Sequence, residues 1–166
     1  MSLEIERKFL VKNHSWRAEA VRSVTIRQNY LSGKPAVRVR LADGRGFLTV
    51  KGRVEGTRIS RLEYEYEIPP SDAEEMLKFL CRGYEISKIC YLVPFAGKTW
   101  EVDEFSGWNE GLFLAELELE QENESFVFPP WLGREVTGNP AYSNSALAVT
   151  PWKRRTKPEA EVPFPE

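Results

Sequence analysis

The sequence predicts a mainly β protein with a few helices, an α+β chain built on a closed eight-stranded antiparallel β-barrel with helices packed outside. Three observations predict it. Short runs of period-two alternation recur along the chain, the pattern of strands whose side chains point to opposite faces in turn. Turn residues in short clusters separate the runs, as hairpins require. In most runs one face is apolar and the other carries charge of a single sign. Strand number and spacing alone fit a barrel or a sandwich. The charged faces favour the barrel, whose interior gives them a common space.

The first run, LEIERKFLV, sets Glu4, Glu6 and Lys8 on one face. HSWRAEAV follows as a short helix, and VTIRQNYL as the second strand, ended by SGKP. AVRVRLA puts Arg38 and Arg40 opposite Val37, Val39 and Leu41. After ADGRG, GFLTVKG sets Lys51 on the face of Thr49. The loop GRVEGTRIS leads into RLEYEYEI, where Glu63, Glu65 and Glu67 oppose Leu62, Tyr64, Tyr66 and Ile68. Beyond Pro69 and Pro70, Ser71 is placed to N-cap a helix through DAEEMLKFLCRG that ends near Gly83. Its Met76, Leu77, Leu80 and Cys81 fall on one side. ISKICYLVPF, carrying Lys88, pairs across AGK with KTWEVDEF, where Glu101 and Asp103 share a face. After SGWNEG, LFLAELELE sets Glu116, Glu118 and Glu120 opposite Leu117 and Leu119. AYSNSALAV supplies a last helix. From Trp152 the chain turns proline-rich and charged, without periodicity. The expected organisation is one folded domain over residues 1–151 and a disordered tail over 152–166.

The chain has 166 residues, 42% apolar and 29% charged, which suits one globular domain with its own core. No apolar run has the length of a membrane-spanning helix, and the first residues carry acids in place of an apolar signal core. A net charge of −2 argues against a partner that is nucleic acid. Cys81 and Cys90 make no disulfide framework or zinc motif, and His14, the single histidine, stands in a surface-like stretch. The expectation is a cytoplasmic protein with no membrane and no nucleic-acid partner.

A charged strand face is ordinarily the wet face of a sheet. Solvated faces mix signs between neighbours, because like charges side by side repel. Here EIE, RVR, EYEYE, EVDE and ELELE each keep one sign. Such sorting fits a multivalent ligand held between the groups: hard divalent cations on the carboxylates, and an anion of several phosphates on the bases. With the charges inside, the apolar faces point outward. Helices, or a partner subunit in a homodimer, then cover them.

Glu4-Ile5-Glu6-Arg7-Lys8 resembles the ExExK hallmark of the CYTH superfamily, the triphosphate tunnel metalloenzymes. The resemblance covers roughly residues 2–150. It extends through RVR at 38–40, TVKG at 49–52, EYE at 63–65, Lys88, Asp103 in EVDEF and ELE at 116–118. It implies an eight-stranded tunnel that holds a small-molecule triphosphate with Mg²⁺ or Mn²⁺. Members include inorganic triphosphatases, thiamine triphosphatases, class IV adenylyl cyclases and RNA triphosphatases, and the inorganic tripolyphosphatase group is the most similar. The implied metal ligands are Glu4, Glu6, Glu116 and Glu118. Lys8, Arg38, Arg40, Lys51 and Lys88 are implied to grip phosphates. Glu63, Glu65 and Asp103 are implied to orient a second metal or the attacking water. The implied reaction is metal-assisted hydrolysis of tripolyphosphate to pyrophosphate and phosphate.

Two positions depart from the family pattern. Lys88-Ile89-Cys90 stands where Lys-x-Arg is common, and Ser145 lies where the last helix often carries a lysine. Both remove positive charge. Cys90 reads as an inert wall residue, since no histidine base accompanies it. Thiamine triphosphatase or cyclase activity, and a module that binds polyphosphate or nucleotides without turnover, are the alternatives. Trp16, Trp108 and Trp131 offer rings to a nucleoside base, but their expected role is packing.

Overall fold

The computed structural model describes residues 2–57 and 59–155. Nine strands run in chain order: β1 (Leu3–Val11), β2 (Arg22–Gly33), β3 (Ala36–Ala42), β4 (Arg45–Arg53), β5 (Ser60–Ile68), β6 (Arg82–Phe95), β7 (Lys98–Ser106), β8 (Phe113–Glu118) and β9 (Leu132–Glu135). Among the described residues two α-helices join them, α1 (Pro70–Phe79) and α2 (Asn144–Val149), with short 3₁₀ turns between. The strand order is β5-β4-β3-β2-β6-β7-β8-β1, every pairing is antiparallel, and β5 returns to β1. That last pairing closes the eight-stranded barrel.

Closure at β1 is short. Leu3–Ile5 pair with β5, and further along the same edge Phe9 and Val11 pair with β9. β9 therefore covers the backbone groups of β1 that β5 leaves. Arg7 ties it down with a two-pronged ion pair to Glu135, at 2.8 and 2.6 Å. This ninth strand has no counterpart in the sequence expectations, because LGRE shows no alternation.

The apolar faces point outward, as expected, and are covered in two places. Phe9, Trp100, Val102 and Leu117 pack beneath Trp16 and the segment that carries Trp131. On the other side α1 lies across β3 and β4, with Ala73 and Leu77 against Val39. This helix starts at Pro70, whose fixed φ and missing N–H suit a first helical position. Ser71 therefore lies inside the first turn and is not the cap. The helix closes at Leu80, before the expected end near Gly83.

The last helix differs in kind from the expected outer cover. At one end of the barrel the inward row turns apolar, with Leu10, Ile86, Phe105 and Leu114 all buried. α2 packs into that end, joining Tyr142 and Leu147 to this inner cluster. It plugs the lumen where charge gives way to hydrocarbon. Trp152 belongs to the same cluster, in a 3₁₀ turn spanning Trp152–Arg154. Its backbone N–H donates to Asn109 Oδ1 at 2.8 Å. The described chain runs past 151 through Arg155, and the buried indole of Trp152 anchors it. The rest of the expected tail, residues 156–166, lies outside the described residues.

Candidate active site

The charged rows face one another across the lumen. All twelve residues singled out in the sequence line a single cavity of about 230 Å³. β1 contributes Glu4, Glu6 and Lys8; β3 Arg38 and Arg40; β4 Lys51; β5 Glu63 and Glu65; β6 Lys88; β7 Asp103; β8 Glu116 and Glu118. Glu67, on the same face of β5, instead pairs with Arg45 at 2.7 Å and is exposed. Trp16 and Trp131 are buried in the outer wall, while Trp108 stays half exposed against Tyr84. None of the three lines the cavity.

Register explains why acids and bases alternate around the wall. Lys51 lies directly across from Glu63 and Lys8 from Glu116, whereas Glu6 and Glu118 set acid against acid. The Lys51 ammonium sits 3.0 Å from Glu4 and 3.1 Å from Glu63. Lys8 reaches Glu116 at 3.7 Å and donates to the Tyr142 carbonyl at 3.2 Å. Lys88 meets Asp103 at 2.7 Å and donates to Asn144 Oδ1 at 3.3 Å. Arg40 donates from Nε to Gln28 at 2.7 Å, and Arg38 donates to Thr49 at 3.3 Å. Arg38 Nε is buried with no hydrogen-bond partner, a donor that an anion in the lumen would satisfy.

Electrostatics separate the carboxylates. Burial, with the charges of Glu116 and Glu4 behind it, pushes Glu6 well above its usual range. Burial also pushes Glu116 upward, but the ammonium groups of Lys8 and Lys88 and a hydrogen bond with Glu6 outweigh it and hold it at about 2. Of this adjacent pair, Glu6 therefore holds a proton more readily than Glu116. Burial raises Glu4 against the pull of Lys51, and Glu4 shares a hydrogen bond with Glu63. Burial opposes the charge of Lys51, but Glu4 and Glu6 keep its ammonium above the usual value. Arg40 is lowered by burial and by neighbouring Arg38.

Clustered carboxylates are the donor chemistry of a hard divalent cation, whose charge relieves their mutual repulsion. In that respect the acidic wall fits a dication. Among the described residues no three such side chains are already drawn together into one coordination cluster.

The lumen also holds residues to which the sequence gives no role. Glu101 faces Glu116 directly across β7 and β8. Burial, then Glu116 and Asp103, push it up to about 7. Its alternation with Asp103 was visible, but only closure of the barrel sets it against Glu116. Arg61 lines the wall opposite Glu4. Ser143, Asn144 and Ser145 bring the start of α2 to the cavity. Cys90 also lines it; burial and the charges of Asp103 and Glu101 push its thiol far up, which disfavours the nucleophilic thiolate.

A CYTH-domain family profile matches residues 2–145. An inorganic triphosphatase of Acetivibrio thermocellus is 50% identical over 155 residues, covering 92% of this chain and 97% of the relative. An inorganic triphosphatase of Nitrosomonas europaea is 36% identical over 153 residues, covering 89% and 97%. A crystal structure of an inorganic triphosphatase superposes with a TM-score of 0.66 at 32% identity, over 90% of this chain and 96% of the other. A putative adenylyl cyclase from Hippeastrum, 14% identical with a TM-score of 0.53, shares the fold. With the tunnel, its sorted charges and these matches together, the chain belongs to the CYTH family.

Proposed function

We propose that this protein is an inorganic triphosphatase that hydrolyses tripolyphosphate to pyrophosphate and phosphate. The observation that carries this reading is the lumen itself, where Lys8, Arg38, Arg40, Lys51 and Lys88, on four strands, face a wall of carboxylates together with Arg61 in one small cavity. At about 230 Å³ the cavity lies below the roughly 300–1,000 Å³ of sites for drug-sized ligands. A compact polyanion suits that space better than a nucleotide. The two curated relatives above are named for the same activity.

Membership of this family implies dependence on a divalent metal. Glu4, Glu6, Glu116 and Glu118 would hold Mg²⁺ or Mn²⁺, which when bound neutralises phosphate charge and polarises the phosphoryl oxygens. Lys8, Arg38, Arg40, Lys51 and Lys88 bind the phosphate oxygens and stabilise charge spread over the transferred phosphoryl group. Glu63 and Glu65 orient the attacking water. Asp103 acts on the reaction through Lys88, which it holds in place. Water attacks the terminal phosphorus and gives up a proton to solvent in the lumen, while the bridging P–O bond breaks and its electron pair leaves with pyrophosphate.

The site of action in this reading is the cytoplasm, with no nucleic-acid or membrane partner. No helix among the described residues is long and apolar enough to cross a membrane. A homodimer would cover the outer face of β5, where Tyr64 and Tyr66 are exposed. Sedimentation would detect it.

The test is phosphate release from tripolyphosphate, ATP, thiamine triphosphate and pyrophosphate, each with and without Mg²⁺ or Mn²⁺. Tripolyphosphate should give the highest kcat/KM and pyrophosphate a poor one, because a diphosphate cannot meet bases spread over four strands. Cyclic nucleotide from ATP would replace this reading with a cyclase. Thermal stabilisation by tripolyphosphate without turnover would replace it with a binding module, to which the neutral Cys90 and Ser145 would then lend sense.

A further inference from the structure

We propose that Gln28 is a positioning residue for the phosphate grip, fixing Arg40 and Lys88 together through a bridge to Asn144 of the plug helix. Gln28 points into the barrel from β2, directly across from Arg40 on β3 and Ile86 on β6. It is fully buried. Its Oε1 accepts from Arg40 Nε at 2.7 Å. Its Nε2 donates to Asn144 Oδ1 at 3.0 Å, and the same oxygen accepts from Lys88 Nζ at 3.3 Å.

The direction of every bond in this chain is forced. A guanidinium and an ammonium only donate, so each end of the bridge must present an oxygen to its cation. Gln28 then has only its amide nitrogen to offer Asn144, and Asn144 has only its oxygen to receive it. Turning either amide over would set donor against donor. One arrangement satisfies all four groups, and that uniqueness gives the bridge its positioning power.

The bridge has a further consequence for Arg40. It occupies Nε alone, and among the described residues the two terminal nitrogens make no hydrogen bond to protein. The fork of the guanidinium is therefore held in orientation and left to the lumen, where a phosphate takes two parallel bonds. Its neighbours on the inward faces, Ile26 and Ile86, show that an apolar residue is accepted at this depth. A leucine in place of Gln28 would fill similar space but leave Arg40 Nε without an acceptor. Asn144 opens α2, so seating of the plug and alignment of the two cations are one event.

This inference rests on the tripolyphosphatase reading for its ligand. The experiment compares Gln28→Leu, Asn144→Ala, Arg40→Ala and the Gln28→Leu/Arg40→Ala double variant. Calorimetric binding of tripolyphosphate is measured beside kcat and KM. Gln28→Leu should weaken binding about tenfold, equivalent to about 1.4 kcal/mol, with a smaller change in kcat. Asn144→Ala, which reaches the bridge from the other side, should weaken binding in the same direction. The double variant should bind no worse than Arg40→Ala, because Gln28 acts through that arginine. Gln28→Glu should fold yet bind more weakly than Gln28→Leu, since a carboxylate would hold Arg40 back from phosphate. Additive losses in the double variant, or unchanged affinity in Gln28→Leu, would overturn the proposal. The Arg40 Nε–H resonance decides the positioning role without any ligand: it should exchange slowly with water in the wild type and quickly in Gln28→Leu. An unaffected resonance sinks the role, whereas a wild type that binds no tripolyphosphate sinks the functional reading.

Discussion

Lys88 and Asp103 form the most buried ion pair of the lumen, 2.7 Å apart with side chains only 4% and 5% exposed. A phosphate reaching Lys88 must share the ammonium with this carboxylate, so Asp103 sets how firmly Lys88 is held and how much charge it offers.

Asp103→Ala should therefore destabilise the ligand-free protein by about 3–5 kcal/mol, the scale for leaving a buried charge without its partner. Tripolyphosphate should restore more stability to this variant than to the wild type, because its phosphate would supply the missing counter-charge. Denaturant midpoints with and without tripolyphosphate measure both effects. A loss under about 1 kcal/mol, the range of a solvated pair, would mean that the pair is not sealed from water.

Glu6→Gln separates catalysis from folding. The substitution removes a carboxyl that burial and two like charges disfavour as an anion. An amide can still donate to Glu116. The melting temperature in chelator at pH 8 should rise, while metal-dependent hydrolysis should fall by about 100-fold or more, as for loss of a major electrostatic element. Full activity at limiting Mg²⁺ would remove Glu6 from the metal ligands.

Most of the lumen was legible in the sequence, because alternation in a closed barrel leaves one choice of face and the charges mark it. Arg38 and Arg40, for instance, could not both face the core that Val37 and Val39 require. Features that depend on register or on tertiary seating were not legible. Gln28 and Asn144 carry no charge and stand far apart in the chain. The strand Leu132–Glu135 exists because β5 leaves an edge of β1 free, which no local pattern records. The helix at 144–149 has too few residues to show which surface it covers, and its place inside the barrel follows from Leu10 and Leu114 turning the lumen apolar.

Trp152 tests whether the chain beyond 151 belongs to the folded domain. It stands among prolines and charges, yet its indole packs on the plug beside Tyr142, with ring centres 6.2 Å apart. Trp152→Ala should cost about 3–5 kcal/mol, as for a large buried aromatic. Hydrogen exchange at Leu147 and Ala148 should accelerate in the same variant. A stability change under about 0.5 kcal/mol, typical of surface sites, would return this residue to a tail.

The last prediction concerns pH and rests on Glu101. Burial, then Glu116 and Asp103, raise its carboxyl from the ordinary 4.5 to about 7. Below 4.5 it is protonated whether the chain is folded or not, and it contributes no pH dependence. Between 4.5 and 7 the unfolded chain has lost the proton that the folded chain keeps, so stability falls as pH rises. Above 7 both states are ionised and the penalty stays constant. Water in the open lumen screens part of the effect, because Glu101 keeps an exposed side. Glu116, held near 2, acts in the opposite sense and only below 4.5, where acid removes a stabilising charge. The ligand-free protein should therefore lose stability between about pH 4.5 and 7, and Glu101→Gln should reduce that slope, the remainder belonging to the raised Glu6 and Glu4, without altering the decline toward pH 2. Melting temperatures of both proteins in chelator, scanned from pH 3 to 9, make the comparison. Added Mg²⁺ should recover the loss at the alkaline end in the wild type, since a dication relieves the same repulsion that a proton relieves at the acid end. Parallel curves for the two proteins across pH 4.5–7 would show that Glu101 titrates as an ordinary solvated carboxylate.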